Sequence, residues 1–380
     1  MNPGLHSLDL RRIDSACLRQ SLYLLGDEGV VYSEAQNRFA GLDAAGVSAY
    51  RAFDAGVSVQ DLRECRDHGG SSPPEDDLES IHALSQGIFS VEGSRAEWPL
   101  LDYPISANIE IHGLPVLLEY PAGPLEDLCR DYFRNCPTTT RLARCHLYAR
   151  HEDYGWTICV NGRALLTQLR DEQIGLGFLH AARSLLYAEA EYDVAFHAAM
   201  VADDERGVLL CAPREAGKST LTAALVAQGF DLMTDEPALL HLDTSSVSPL
   251  GLPVSLKEGS WTVLRHEWPQ LNGAPVHVRS DGVQLRLLHP PQAHLSTRPQ
   301  RLTHIVFPEY NPSSETQIER LSPFRALGLL NEGGMILAGH IDRDKFEAFL
   351  RLVCMTPAYT MRYASLKEAV QIVHKMSIED

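Results

Sequence analysis

Three short stretches of this chain bring together residue types that handle phosphate, metal and protons. The first is Val208-Leu-Leu-Cys-Ala-Pro-Arg-Glu-Ala-Gly-Lys-Ser-Thr220. Its end, Gly217-Lys218-Ser219, satisfies the phosphate-loop pattern G-x-x-x-x-G-K-[ST], except that Ala212 stands at the first glycine. The G-K-[ST] tripeptide alone would arise by chance in roughly a fifth of chains this long. Its context raises it, because an apolar strand feeds the loop and an uncharged helix leaves it. In that geometry the loop from Ala212 through Pro213, Arg214, Glu215 and Ala216 to Gly217 wraps the phosphates, and its backbone N–H groups (Pro213 has none), with those of the helix start at Lys218, Ser219 and Thr220, point at them. Lys218 would reach the β- and γ-phosphates, and Ser219 would offer its hydroxyl to Mg²⁺. The plain alternative is a strand, a turn and a helix with a solvated lysine.

The second stretch is the acid pair Asp235-Glu236, seventeen residues beyond Lys218, at the end of an expected strand over 230–233. In a parallel sheet that strand end faces the same crevice as the loop. A carboxylate there can hold Mg²⁺ or accept a proton from an acceptor hydroxyl. Asp235 could equally be a turn residue before a strand. The third stretch is Val194-Ala-Phe-His-Ala-Ala-Met-Val201, just before the loop strand. A lone histidine among apolar residues is commonly a satisfied core histidine. Here the adjacent strand could bring His197 beside Asp235, and a His–carboxylate pair near a γ-phosphate is a proton-handling unit.

The elements that must position these residues are legible from apolar periodicity and turn chemistry. From about Val194 the pattern is α/β: strands over 207–211, 230–233, 237–242 and 302–307, and a helix over 218–228 stopped at Gly229. Upstream, 21–25 and 29–32 alternate as strands, and 44–53 and 57–65 read as helices parted by Gly56. His68–Asp77 (HGGSSPPEDD) is a loop or linker, and a short helical piece follows over 78–85. Strands are expected at 107–112, 114–120, 144–149 and 156–160, a helix at 125–133, and a longer helix from Asp171 to about Ala190. The tail from 342 to 376 holds two helical stretches around 357–363.

Composition narrows the function. The 380 residues carry 33 Lys and Arg against 50 Asp and Glu, a net charge of -17. That excess of anions disfavours nucleic acid and anionic membrane surfaces, both of which need cationic contacts. The eight cysteines form no C-x-x-C pair and are too scattered for a zinc site or a disulfide framework. With no signal-like start and no membrane-length apolar run, a cytoplasmic protein is the expectation.

Taken together, the histidine motif, the phosphate loop and the acid pair make the sequence similar to the HPr kinase family, above all to its HPr-kinase-related branch. The matching residues are His197-Ala-Ala-Met-Val201, Gly207 to Thr220, and Gly229-Phe-Asp-Leu-Met-Thr-Asp-Glu236, followed by Gly251-Leu-Pro-Val-Ser-Leu-Lys257 and Leu302 to Pro308. The likeness covers roughly residues 100–370. It implies a fold like that of phosphoenolpyruvate carboxykinase and transfer of the ATP γ-phosphoryl group to a serine hydroxyl. It implies that Lys218 and Ser219 bind phosphate and Mg²⁺, that His197 and Asp235 are catalytic, that Glu236 assists the metal, and that Lys257 is a further phosphate or acceptor contact. Two residues depart from the family: Ala212 and Glu215 stand where glycines are usual. Ala212 would strain the loop if its position needs a positive φ, and Glu215 sets a negative charge beside anionic phosphates. The arginine-rich C-terminal segment of the bifunctional members has no match, so HPr is not the expected substrate.

The N-terminal segment has its own resemblance. Leu22-Tyr-Leu-Leu25, Gly29 to Gly46, Ala52 to Leu62 and Ile81 to Phe89 resemble a PqqD-like domain, a small winged-helix module that grips leader peptides by strand addition. A plain winged-helix or lid domain is the alternative. The expected organisation is a PqqD-like domain over 1–92, an intermediate α/β segment over 93–190 and an HPr kinase-like phosphate-loop α/β domain over 191–380. The implied activity is an ATP- and Mg²⁺-dependent kinase acting on a hydroxyl of a ribosomally made precursor peptide, with a homo-oligomer compatible. A small-metabolite kinase and a non-catalytic nucleotide-binding adaptor are the alternatives.

Overall fold

The computed structural model describes residues 11–14, 20–34, 37–54, 105–152, 154–204, 206–213, 215–279 and 281–379. They fall into two compact units. One contains the described residues before 55 together with Leu321–Asn331 and Leu337–Pro357, and the other contains 105–320, Glu332–Ile336 and the residues from Ala358 onward. The sequence divides the chain at 92 and 190. In the fold, residues 105–190 share a unit with the phosphate loop, and part of the last third joins the N-terminal strands. The helix expected over 57–65, the linker over 68–77 and the Ile81 to Phe89 stretch lie outside the described residues.

In the first unit, β1 (Arg11–Asp14), β2 (Gln20–Leu25), β3 (Glu28–Ser33) and β4 (Arg38–Leu42) form an antiparallel sheet in that order. Helix α1 (Ala44–Asp54) lays Val47, Tyr50 and Phe53 on Leu22, Val31 and Leu42. A sheet with one packed face alternates buried and solvated residues. Strand β3 is instead buried almost throughout, because the Arg343–Met355 helix covers the other face. There the Tyr32 ring stacks on Phe346 with centroids 4.0 Å apart, and Tyr23 and Phe39 flank the same ring at 5.6 and 5.5 Å. Tyr32 Oη donates to the Ile341 carbonyl at 2.7 Å.

The second unit contains two main sheets. The first has the order β5 (Ile105–Ile111), β6 (Leu114–Tyr120), β7 (Cys145–Glu152), β8 (Gly155–Val160) and β9 (Arg163–Leu169), antiparallel except for the parallel β6–β7 pair. Helices α2 (Pro124–Tyr132) and α3 (Asp171–Glu189) accompany it. Gly177 lets α3 lie close to the sheet, since a Cβ there would come within 2.8 Å of the Ile158 and Leu169 side chains.

The second sheet positions the chemistry. Among the described residues it has ten strands, seven of which are β10 (Val194–Phe196), β11 (Ala198–Ala202), β12 (Gly207–Cys211), β13 (Asp231–Thr234), β14 (Ala238–His241), β15 (Ser246–Val247) and β19 (Gln300–Tyr310). Strands β16 (Val254–Lys257), β17 (His277–Val278) and β18 (Gln284–Leu288) form a small side sheet. The parallel sheet expected around the loop is corrected here. Strand β12 runs parallel to β19, and β19 to the Ala358–Tyr363 strand, but β11 is antiparallel to both β12 and β13. Since β12 and β13 both oppose β11, they run the same way and end at one edge, where β11 begins.

Helix α4 (Lys218–Ala227) leaves the loop and carries no charge after Lys218. Its buried Leu221, Ala223, Leu225 and Val226 join Val208, Leu210, Val306, Val370 and Val373 in one core. Trp268 Nε1 donates to the Ala223 carbonyl at 2.9 Å. Cys129, Cys136, Cys145, Cys159 and Cys211 are buried free thiols. Among the described residues no helix is long and apolar enough to cross a membrane.

Phe346 is fully buried between aromatic rings of the N-terminal sheet. Phe346→Ala should therefore cost about 3–5 kcal/mol, seen as a lowered urea midpoint. An unchanged midpoint would show that this helix does not pack on the N-terminal strands.

Candidate functional site

Strand β12 delivers the chain to the loop through buried Ala212, and α4 begins at Lys218. Among the described loop residues, the left-handed positions are Glu215 (φ 72°) and Gly217 (φ 87°). Ala212 is not left-handed, so the strain expected from a missing glycine there does not arise. Gly217 is required twice over: its φ favours glycine, and a Cβ would sit 2.6 Å from Tyr363 Oη. Glu215 holds a conformation that costs an ordinary residue about 1 kcal/mol. Its carboxylate meets Lys257 Nζ at 3.0 Å. That pair is solvent-exposed and worth about 0–1 kcal/mol. Arg214 lies outside the described residues. The loop is braced by the Tyr310 N–H donating to the Ala216 carbonyl at 3.1 Å, and Thr220 Oγ1 lies 2.6 Å from Ser260 Oγ on α5 (Glu258–Leu264).

The register of β11 sets the rest. Ala198 pairs with Cys211, the last residue of β12, and Met200 pairs with Thr234, the last of β13. His197 therefore lies at the head of the loop strand, and the acid pair lies on the other flank of β11. Lys218 Nζ donates to the His197 carbonyl at 3.0 Å, which ties the loop lysine to this edge.

Past Thr234 the two acids part company. Asp235 is buried. Its Oδ2 accepts from Ser219 Oγ at 3.2 Å and from the Ser255 N–H at 3.0 Å, while its Oδ1 is buried with no hydrogen-bond partner among the described residues. Burial pushes the Asp235 carboxyl up from its ordinary value, against Lys218, the Ser255 N–H and Ser219, which favour the charged form. Glu236 turns the other way. Its Oε1 lies 2.7 Å from His197 Nδ1 and its Oε2 lies 3.7 Å from Arg183 Nη1. Burial works against its charge too, but the His197 hydrogen bond and the Arg183 and Lys218 charges outweigh it and hold this carboxyl down at about 2. The carboxylate beside His197 is thus Glu236, not Asp235 as the sequence suggested. Both acids lie in a bend just past the end of β13, and there the two side chains take different partners, Asp235 the Ser219 hydroxyl and Glu236 the His197 ring.

A buried carboxylate with an orphaned oxygen beside a serine hydroxyl fits a small hard cation such as Mg²⁺. Among the described residues no cluster of three or more His, Cys, Asp or Glu could hold a metal unaided. Mg²⁺ would therefore be held by Ser219 and Asp235, with phosphate oxygens and water completing its shell. Glu236, expected as a further ligand, has its two oxygens on His197 and Arg183.

Sequence reasoning missed several contributors. Arg183 and Tyr187 come from α3, and Tyr132 from α2, all close to Glu236. A signal was present: Arg183 is the one Asp, Glu, Lys or Arg between Glu172 and Glu189. Arg279 is held by Asp281 at 2.8 and 2.6 Å and lies within electrostatic reach of Glu215 and Arg183. A cleft of about 540 Å³ lined by His112, Arg144, Glu191 and His241 opens at the opposite end of β14 from Glu236.

No protein-family model and no curated protein matches this chain. Among solved structures, the Hpr(Ser) kinase/phosphatase from Coxiella burnetii resembles it with a TM-score of 0.22 and 14% identity, over 49% of this chain and 99% of that one. A likeness of that size carries no argument, so the functional reading rests on the geometry of the site.

Proposed function

We propose that this chain is an ATP-dependent phosphotransferase that moves the γ-phosphoryl group to a hydroxyl. One observation carries the reading: a phosphate-type loop with its lysine, a serine–carboxylate pair and a histidine–carboxylate pair converge on one sheet edge. The three are chemically complementary. Backbone N–H groups at the start of α4 and the Lys218 ammonium receive phosphate charge. Bound at Ser219 and Asp235, Mg²⁺ would supply charge neutralisation at the phosphates.

His197 is the proton acceptor in this reading. Glu236, ionised near neutral pH, takes the Nδ1 side of the imidazole and leaves Nε2 to act as base. The acceptor oxygen forms a bond to the γ-phosphorus, its proton passes to His197, and the bond from the γ-phosphorus to the bridging oxygen breaks to release ADP. Asp235, bonded to Ser219 and the Ser255 N–H, serves the phosphate side.

For the acceptor we propose a peptide hydroxyl, with the peptide held as an added strand by the N-terminal segment. The support is the antiparallel order β1-β2-β3-β4, in which β1 and β4 are the edge strands among the described residues, with backbone groups to offer. ATP turnover with and without a serine-containing peptide separates this from a small-metabolite kinase, and both from a nucleotide-binding adaptor.

Lys218→Ala should lower phosphoryl transfer about 10²–10³-fold, and His197→Ala about 10²–10⁴-fold, with far-ultraviolet circular dichroism unchanged. Full activity in a folded Lys218→Ala variant would remove the phosphate-loop assignment. Glu215→Gly relieves a left-handed non-glycine residue, removes an anion worth about 1 kcal/mol beside the phosphates, and frees Lys257. Calorimetric titration should show ATP binding about fivefold tighter. Weaker binding would mean that the Glu215–Lys257 pair shapes the site.

A further inference from the structure

Glu236 is enclosed from two directions. From the sheet that carries the loop come His197, Lys218 and Asp235, and from the helices of the other sheet come Arg183, Tyr187 and Tyr132. Arg183 and Tyr187 are four residues apart and so share one face of α3. The side chains of Arg183 and Glu236 are 19% and 21% exposed, so this pair is largely withdrawn from water. Arg183 Nε is buried with no hydrogen-bond partner among the described residues. Placing an arginine there carries a desolvation cost that a merely solubilising charge would not incur.

We propose that Arg183 is a positioning residue: it holds one oxygen of Glu236 so that the other stays on His197 Nδ1. The distances fit this division, 3.7 Å to Oε2 from Arg183 and 2.7 Å to Oε1 from His197. A carboxylate with a single partner can rotate about its last bond, and the imidazole rotates with it. The Arg183 guanidinium, in ion-pair range of the second oxygen, makes that rotation costly and so keeps the histidine ring at the edge where Lys218 meets the His197 carbonyl. The histidine motif, the loop and the acid pair all lie on one sheet, and Arg183 reaches that edge from the helix of the other. Arg183 thereby makes residues 105–190 part of the active site rather than its support. The role rests on the phosphotransferase reading, in which the orientation of His197 matters for proton transfer.

The test uses the full chain. Arg183→Met should lower kcat 10- to 100-fold while KM and Kd for ATP stay within about twofold, and Arg183→Lys should recover much of the loss. Because Arg183 acts through Glu236, the double variant Arg183→Met with Glu236→Gln should be no slower than Glu236→Gln alone. Additive losses, or a raised KM with unchanged kcat, would overturn the proposal. Should Arg183→Met fail to fold, Arg183→Gln is read in its place with the same expectations. A second measurement needs no turnover. With ¹⁵N-labelled histidine, the Nδ1–H resonance of His197 should be present in the wild type and lost or broadened in Arg183→Met. Absence of ATP turnover in the wild type would remove the phosphotransferase reading, and the resonance would still decide whether Arg183 positions the ring. An unchanged resonance in Arg183→Met sinks the positioning role.

Discussion

The antiparallel seating of β11 between β12 and β13 is the constraint on which the site depends. A strand inserted against the direction of its neighbours begins where they end. That places His197, Cys211 and Thr234 at one edge, although 37 residues of chain separate the first from the last. Had β11 run parallel to β12, His197 would lie at the far end of the sheet from Lys218. The edge is held by apolar packing: β11 and β12 are buried along their whole length, and α4 covers them with a run of small and branched apolar residues. The polar groups are thus carried by a core whose register cannot slip without turning apolar side chains outward.

Two adjacent carboxylates in this edge are driven to different behaviour by their surroundings. Asp235 is buried, and burial dominates and raises its carboxyl. Glu236 is half-buried, and a histidine and an arginine hold it ionised. Environments that push neighbouring acids apart are a recurring way of assigning distinct roles to like groups. Here one acid lies with a serine hydroxyl and the loop, and the other lies with the imidazole. Each would interfere with the other's work if both faced the same way.

The loop shows how a departure from a pattern is absorbed. The position of Ala212 is buried and asks for no left-handed backbone, so a methyl group is accommodated. The left-handed position at 215 is occupied by a glutamate, whose charge is met by Lys257 from the side sheet. Gly217 has no such latitude, because Tyr363 closes the space that a side chain would need.

Much of this protein was legible as local chemistry. The Gly217-Lys218-Ser219 loop, the α4 helix, the Leu114–Tyr120 strand, the start of the Asp171 helix, and the two C-terminal helices on either side of 357–363 all follow from patterns within about twenty residues. The pairing of His197 with Glu236 rather than Asp235 was not legible, since it depends on which way each acid projects after β13 and on the direction of β11. Strand β9 was missed because its residues are mostly exposed and do not alternate. Nor could the sequence show that the Arg343–Met355 helix covers the N-terminal sheet, or that Arg183 meets Glu236. Each is a contact between segments more than fifty residues apart. Periodicity and turn signals determine which elements form and which face of each is apolar. Which elements become neighbours, and in which direction they run, is decided only when those apolar faces are buried together.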